Sequence, residues 1–279
     1  MDLALKVICF IGATTFGVAH IASAQASDLP VDRPPPQAMQ LDLSAPFHSR
    51  SGWRFVVTEG EPVKDYGDMD APGALTLCLR KGSSGPCLLS SVSPPLWAGT
   101  PEDPNAWGPH YLHTAEIVYP RGLKGPPLLM IVTGSVYSGD GDQVEATQLI
   151  RYDASRDAFR RIYAKSVGHN NNQEIRFVKD GPLRGSVIVA EPQQHAPFAY
   201  TITVNRLMPD LTYRRALRYR SATRYADGNP LAVIDSEMPN IQRRLGLWKP
   251  GERLPAPTVA GNGKPCTHPT LKNSELWCE

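Results

Sequence analysis

The sequence lacks the short motifs that identify several common classes of enzyme. It contains no G-x-S-x-G nucleophile elbow, no phosphate-binding glycine loop and no H-E-x-x-H zinc motif. These absences argue against the corresponding hydrolases and nucleotide-binding proteins. Glycosidases are not excluded in this way, because their paired carboxylates need no local motif.

A marked excess of charge is also missing. The chain has 29 Lys and Arg residues against 27 Asp and Glu residues, which gives a net charge of +2. So small an excess provides no electrostatic argument for a nucleic acid or an acidic membrane as partner. Beyond the first 24 residues, no stretch is apolar enough to predict a membrane span.

The first 24 residues have the pattern of a secretory signal peptide. A short start precedes an apolar run over residues 7–18, and small residues follow at Ala22 and Ala24. The run is shorter than the roughly 20 residues of a spanning helix. We therefore expect cleavage before Gln25, or two residues further on, and a periplasmic or secreted mature chain.

Cysteine is scarce, and its positions predict two disulfides. Of the five cysteines, Cys9 lies in the signal peptide, and the remaining four are an even number in an oxidising compartment. Pairing of neighbours in the chain predicts the bonds Cys78–Cys87 and Cys266–Cys278. The spacings do not match paired C-x-x-C zinc ligands, so we expect no zinc site at these cysteines. No other metal and no cofactor are expected.

Composition divides the mature chain into three parts. Residues 25–45 are rich in Pro, Ala and Asp and predict a flexible lead-in. Residues 46–248 predict a single all-β domain. Residues 249–279 are rich in Pro and Gly and predict an irregular tail, closed by the second disulfide.

An imperfect duplication lies in the middle of this domain. Residues 116–163 are echoed by residues 174–217, which makes repetition of one structural unit the first hypothesis. Each copy has four short segments rich in β-branched or aromatic residues and bounded by turn formers. These segments are 114–119, 128–134, 146–152 and 158–164 in the first copy, and 174–178, 186–190, 200–207 and 213–220 in the second.

A unit of four strands within about fifty residues has the length and strand count of a propeller blade. We therefore expect an all-β fold of repeated four-stranded antiparallel units, similar to a small β-propeller. A β-sandwich or another curved sheet is the alternative. Further strands are expected over residues 86–90 and 231–234, and only residues 239–247 predict a turn or two of helix.

Two polar segments are candidate ligand-binding sites. The first is the loop between the two copies, with His169, Asn170, Asn171, Asn172 and Gln173. Asparagine amides bond to neighbouring backbone groups and tolerate left-handed conformations. The loop is therefore either a binding loop rich in hydrogen-bond donors or a structural turn.

The second segment follows the expected strand 231–234 and contains Asp235, Glu237 and Arg243. Its charged groups could face a ligand or form internal ion pairs that tie one part of the domain to another. If they bind a ligand, they should border one cleft together with the loop at residues 169–173.

Other polar residues have simpler structural interpretations. Glu116 and Glu174 occupy matching positions in the two copies, and they could form a catalytic pair or hold equivalent strands. The Asp-Gly sequences at residues 140–142 and 227–229 predict turns rather than calcium loops. His110 and His113 precede Glu116, but a strand would direct side chains three positions apart to opposite faces.

These observations favour binding over catalysis. We expect an exported, non-enzymatic binding protein of a bacterial-type cell envelope that recognises a glycan or a protein through loops on one face of the β-scaffold. The alternative is a glycoside hydrolase that uses two carboxylates. No nucleic-acid partner and no membrane span in the mature chain are expected.

Overall fold

The computed structural model describes residues 39–65, 67–88, 108–137, 143–168, 172–193, 199–224, 227–255 and 266–278. All of them lie in one unit that spans residues 36–279. Antiparallel strands make up most of the regular structure, which confirms the all-β class. Within these residues, neither of the two helices has the length and apolar character needed to cross a bilayer.

The first sheet begins inside the expected lead-in. Its elements, in chain order, are β1 (Met39–Asp42), α1 (Ser44–Phe47), β2 (Trp53–Glu59), β3 (Val63–Lys64), β4 (Asp70–Ala71) and β5 (Leu75–Lys81). The sheet has the order β1-β2-β5, and β3 pairs only with β4. Because the backbone of β1 pairs with that of β2, residues 39–42 are a paired strand where a flexible lead-in was expected.

The turn after β5 is held by the first of the two disulfides. Cys78 bonds to Cys87 and Cys266 bonds to Cys278, so both predicted pairings are confirmed. The expected strand over residues 86–90 is wrong for its described part, because residues 86–88 have no strand pairing. Gly85 and Pro86 end the turn there, and Pro86 has no N–H to donate to a ladder.

Two four-stranded sheets follow, and they have the same strand order. The second sheet contains β6 (Tyr111–Val118), β7 (Leu128–Gly134), β8 (Val144–Asp153) and β9 (Ala158–Gly168), and the third contains β10 (Glu174–Phe177), β11 (Val187–Pro192), β12 (Ala199–Leu207) and β13 (Tyr213–Arg224). In both, each strand pairs with the next one along the chain in antiparallel orientation. The expected four-stranded units are therefore present, while a closed propeller ring remains a prediction.

The sheets stack in layers, and their inner strands are therefore buried on both faces. In β7, Leu129 packs in a core with the first sheet, and its neighbour Leu128 packs in a core with the third. In β11, Val189 faces the second sheet and Ile188 packs with the helix that follows. Burial on both faces explains why the apolar residues of these strands are continuous rather than alternating.

The last layer is a helix rather than a further strand. After β13 come α2 (Val233–Arg244), β14 (Pro269–Lys272) and β15 (Glu275–Cys278). The expected strand over residues 231–234 is wrong, because helix α2 begins at Val233. A short apolar run does not distinguish a buried strand from a buried helix. Residues 269–278, within the expected irregular tail, form a hairpin of two paired strands.

Candidate functional site

Helix α2 begins against a carboxylate from the third sheet. Its N-cap residue, Ala232, has no side chain that can bond to the first free N–H groups of the helix. Instead, Glu174 Oε1 accepts a hydrogen bond from the backbone N–H of Ile234 at 2.7 Å. Glu174 therefore caps the helix from a strand 60 residues away in the chain. Its burial raises the pKa of this carboxyl, and the charge of Arg176 opposes that rise.

One arginine joins this cap to the helix. Arg176 Nη2 donates to Glu174 Oε2 at 3.0 Å, and Arg176 Nη1 donates to Asp235 Oδ1 at 2.6 Å. The Asp235 side chain is only 5% exposed, so this is a largely desolvated contact. Asp235 also lies in the first turn of α2, where the helix dipole favours a negative charge.

A cleft of about 540 Å³ opens beside this charged group, between α2 and the segment after β10. The cleft has both charged and apolar walls. Its lining consists of Arg176, Phe177, Val178, Lys179, Asp180, Gly181, Pro182, Leu183, Asp235, Met238, Gln242 and Pro255. The volume lies within the range of roughly 300–1,000 Å³ that is typical of small-ligand sites.

Glu237 is placed differently from Asp235, although the two are separated by one residue. Its carboxylate accepts hydrogen bonds from Tyr219 Oη at 2.6 Å, Thr223 Oγ1 at 2.7 Å and Asn240 Nδ2 at 3.2 Å. Glu237 is fully buried and does not line the cleft. Burial, together with the charge of Glu237, raises the pKa of Tyr219.

A second buried carboxyl lies near Glu237. Glu275, at the start of β15, is buried, and β15 packs against α2. Its burial, with the nearby charges of Glu237 and Asp227, raises its pKa to about 7.

The remaining predicted binding residues occupy supporting positions. Arg243 Nη2 donates to Asn240 Oδ1 at 3.1 Å, and Asn240 in turn holds Glu237. The neighbouring Arg244, which the sequence did not single out, places its guanidinium 4.3 Å from the centroid of the Tyr219 ring. Arg244 therefore joins α2 to β13, whereas Arg243 bonds within the helix.

The polar loop is described only at its end. His169, Asn170 and Asn171 lie outside the described residues. Asn172 has a left-handed backbone with φ of 52°, as expected for asparagine in a turn, and Gln173 is buried. Gln173 directly precedes Glu174, so the end of the loop and the first turn of α2 meet at the Glu174 cap.

The other polar candidates have structural contacts. Glu116 forms an ion pair with Lys179 at 2.8 Å, and is thus engaged by a different partner from Glu174. Asp227 Oδ1 accepts a hydrogen bond from the N–H of Asn229 at 2.9 Å, which forms a local turn.

His110 Nδ1 lies 2.7 Å from the carbonyl oxygen of Pro72. In the part of the chain that the structure describes, no three His, Cys, Asp or Glu side chains are grouped to hold a metal ion.

Sequence reasoning missed Arg176 and the apolar wall of the cleft. Arg176 lies inside a predicted strand, and nothing in its local pattern indicates that it joins two carboxylates. Comparisons with protein-family models, with curated proteins and with solved structures found no match to this chain.

Proposed function

We propose that this chain is an exported, non-enzymatic binding protein of a bacterial-type cell envelope, and that it recognises a glycan or a protein partner at the cleft between α2 and β10. The observation that supports this proposal best is the Arg176–Asp235 ion pair at the edge of a partly apolar cleft. A fixed charge pair beside apolar walls can orient a ligand without further rearrangement.

The surroundings of the cleft suit binding better than catalysis. Glu174 and Glu237 are held by several hydrogen bonds each, and these bonds stabilise the packing of α2. A general acid needs a carboxyl whose proton is available to the substrate. Export is supported by the two disulfides, since such bonds persist in oxidising compartments.

A glycoside hydrolase is the second candidate, and one observation favours it. Asp180 and Asp235 both line the cleft, so two carboxyls border one cavity. Two carboxyls about 5 to 9.5 Å apart are the usual requirement for this chemistry. Asp235 would have to act while its carboxylate is held by Arg176 Nη1 at 2.6 Å.

The binding proposal is tested with the mature protein and a panel of soluble envelope glycans and envelope protein extracts. A Met238→Lys variant places a charge in the cleft wall, and Met69→Lys makes the same change at a side chain that is 67% exposed and not part of the lining. We expect saturable binding by calorimetry that is lost in the first variant and retained in the second. Equal binding by both variants would contradict the cleft as the site.

The same panel separates binding from hydrolysis. Release of reducing sugar that is abolished by Asp180→Asn or Asp235→Asn, and retained in Asp70→Asn, would establish the glycosidase instead. Asp70 is a suitable control because its side chain is 74% exposed and lies outside the cleft. Saturable binding without release of sugar supports the binding protein.

A further inference from the structure

A second cleft lies between the second and third sheets, away from α2. It has a volume of about 460 Å³, and its walls come from β9 on one side and from β11, β12 and β13 on the other. Unlike the cleft at α2, it is lined mainly by polar and basic side chains. The described lining consists of Tyr163, Ala164, Lys165, Val189, Glu191, Thr203, Asn205, Arg215 and Arg218.

A β-bulge directs two arginines into this cleft. Arg215 and Arg218 are three positions apart, and in a regular strand they would point to opposite faces. The pairing of β13 with β12 shifts at this point: Arg215 is opposite Asn205, and Arg218 is opposite Thr203. Because Asn205 and Thr203 lie on one face, the extra residue Ala216 brings both guanidinium groups to that face.

The positive charge in the cleft is not neutralised by the protein. Arg215 and Arg218 are exposed, and neither has an ion-pair or hydrogen-bond partner among the residues that the structure describes. The one carboxylate in the described lining, Glu191, is bound by Lys165 Nζ at 2.5 Å. Arg220, two residues after Arg218, extends the basic row on the same face.

We propose that this cleft binds an acidic polysaccharide, a carbohydrate chain that carries carboxylate or sulfate groups. The planar guanidinium groups match such anions with paired hydrogen bonds. Neutral donors and acceptors on Thr203 and Asn205 lie on the same face, where they can bond to sugar hydroxyls. This site is separate from the one at α2, and it takes a ligand of defined charge.

Two other polyanions fit the cleft less well. Single-stranded nucleic acid needs aromatic platforms for its bases, whereas the one aromatic side chain in the described lining, Tyr163, packs on Tyr213 with ring centroids 5.3 Å apart. An acidic membrane surface is flat and is usually engaged by apolar side chains as well. The large exposed apolar side chains of the described chain are elsewhere, at Met69, Leu88, Leu123, Tyr137 and Leu271.

The test measures binding of oligogalacturonate and of heparin fragments to the mature protein, with neutral dextran as the uncharged probe. We expect saturable binding to an acidic chain, no binding to dextran, and an affinity that falls as salt is added. The double variant Arg215→Ala/Arg218→Ala should lose about tenfold or more in affinity, because two charge-assisted contacts are removed. A matched double variant, Arg156→Ala/Arg214→Ala, removes the same charge from exposed positions outside the cleft lining and should bind as the parent protein does.

Replacing the two arginines with lysine separates the effect of guanidinium shape from the effect of positive charge. Arg215→Lys/Arg218→Lys keeps the charge but lacks the planar donor pair, and we expect its affinity to lie between those of the parent and the alanine variant. Equal losses in the two alanine variants would overturn the proposal, since they would show a nonspecific response to net charge. Tighter binding to single-stranded DNA or to acidic phosphatidylglycerol vesicles, or no binding to either acidic glycan, would also overturn it. None of these outcomes depends on the ligand of the α2 cleft.

Discussion

The second and third sheets have the same strand order but different neighbours, and the difference shows how one strand pattern serves two purposes. The second sheet is covered by a sheet on each face, so β7 is almost wholly apolar. The third sheet is covered by a sheet on one face and by α2 on the other. On the face covered by the helix, strand β10 carries the ion pair of Glu174 and Arg176. Glu174 accepts a hydrogen bond from one of the free N–H groups at the start of α2.

The comparison is most direct at Glu116 and Glu174, which occupy matching positions in β6 and β10. Glu116 forms a largely exposed ion pair, whereas Glu174 caps a helix and binds a largely buried arginine. We therefore expect these matching positions to contribute very different amounts to the free energy of unfolding. Four predictions test this view, from the largest expected effect to the smallest.

Glu174→Ala should lower the free energy of unfolding by about 3 kcal/mol, because it leaves Arg176 with one partner and removes the cap of α2. Chemical denaturation of the purified variant measures this effect. A loss as small as that of an exposed ion pair would show that Glu174 is not a structural cap.

Tyr219→Phe removes one of three hydrogen bonds to buried Glu237 and should cost about 2 kcal/mol. Thermal unfolding at neutral pH, compared with Tyr137→Phe at an exposed tyrosine in the segment after β7, isolates the effect. Equal melting temperatures for the two variants would mean that losing the buried Tyr219 hydroxyl destabilises the protein no more than losing an exposed tyrosine hydroxyl.

Glu275 should make the protein less stable as the pH rises. Its pKa is raised from 4.5 to about 7 in the folded chain, so the folded state retains a proton that the unfolded state releases. The favourable contribution is present below pH 4.5 and is lost as the pH rises through about 7. Melting temperatures across this range should decline in the parent protein and decline less in Glu275→Gln.

Glu116→Ala should change the free energy of unfolding by less than about 1 kcal/mol, because its ion pair with Lys179 is exposed to solvent. The same denaturation experiment as for Glu174→Ala provides the measurement. A loss that matches the Glu174 variant would remove the distinction between the two sheets.

Much of the fold could be predicted because strands and turns are indicated by residues that are close together in the chain. Alternating burial in β2 and β12 follows from alternating apolar residues, and each hairpin has Gly, Pro, Asn or Asp at its turn. The start of α2 could not be predicted in this way. The apolar residues Leu231 to Ile234 fit a strand equally well, and Pro239 inside the helix argues against a helix there.

The candidate sites were only partly predictable. Asp235 was singled out and lines the cleft at α2, while Glu237, chosen on the same grounds, is buried away from it. The small net charge gave no reason to expect a basic cleft, because a total over the chain conceals where the charges lie. Arg215 and Arg218 share a face only through a bulge, and a bulge depends on the partner strand.

By itself, the sequence determined the all-β class and the two disulfides, since strand alternation, turn residues and cysteines that are close in the chain are all local properties. The tertiary structure decided which carboxylates are buried, which strand caps α2, and which arginines face one cleft. Those outcomes require contacts between residues that are far apart in the chain, and the energy of such contacts depends on burial that no local pattern encodes.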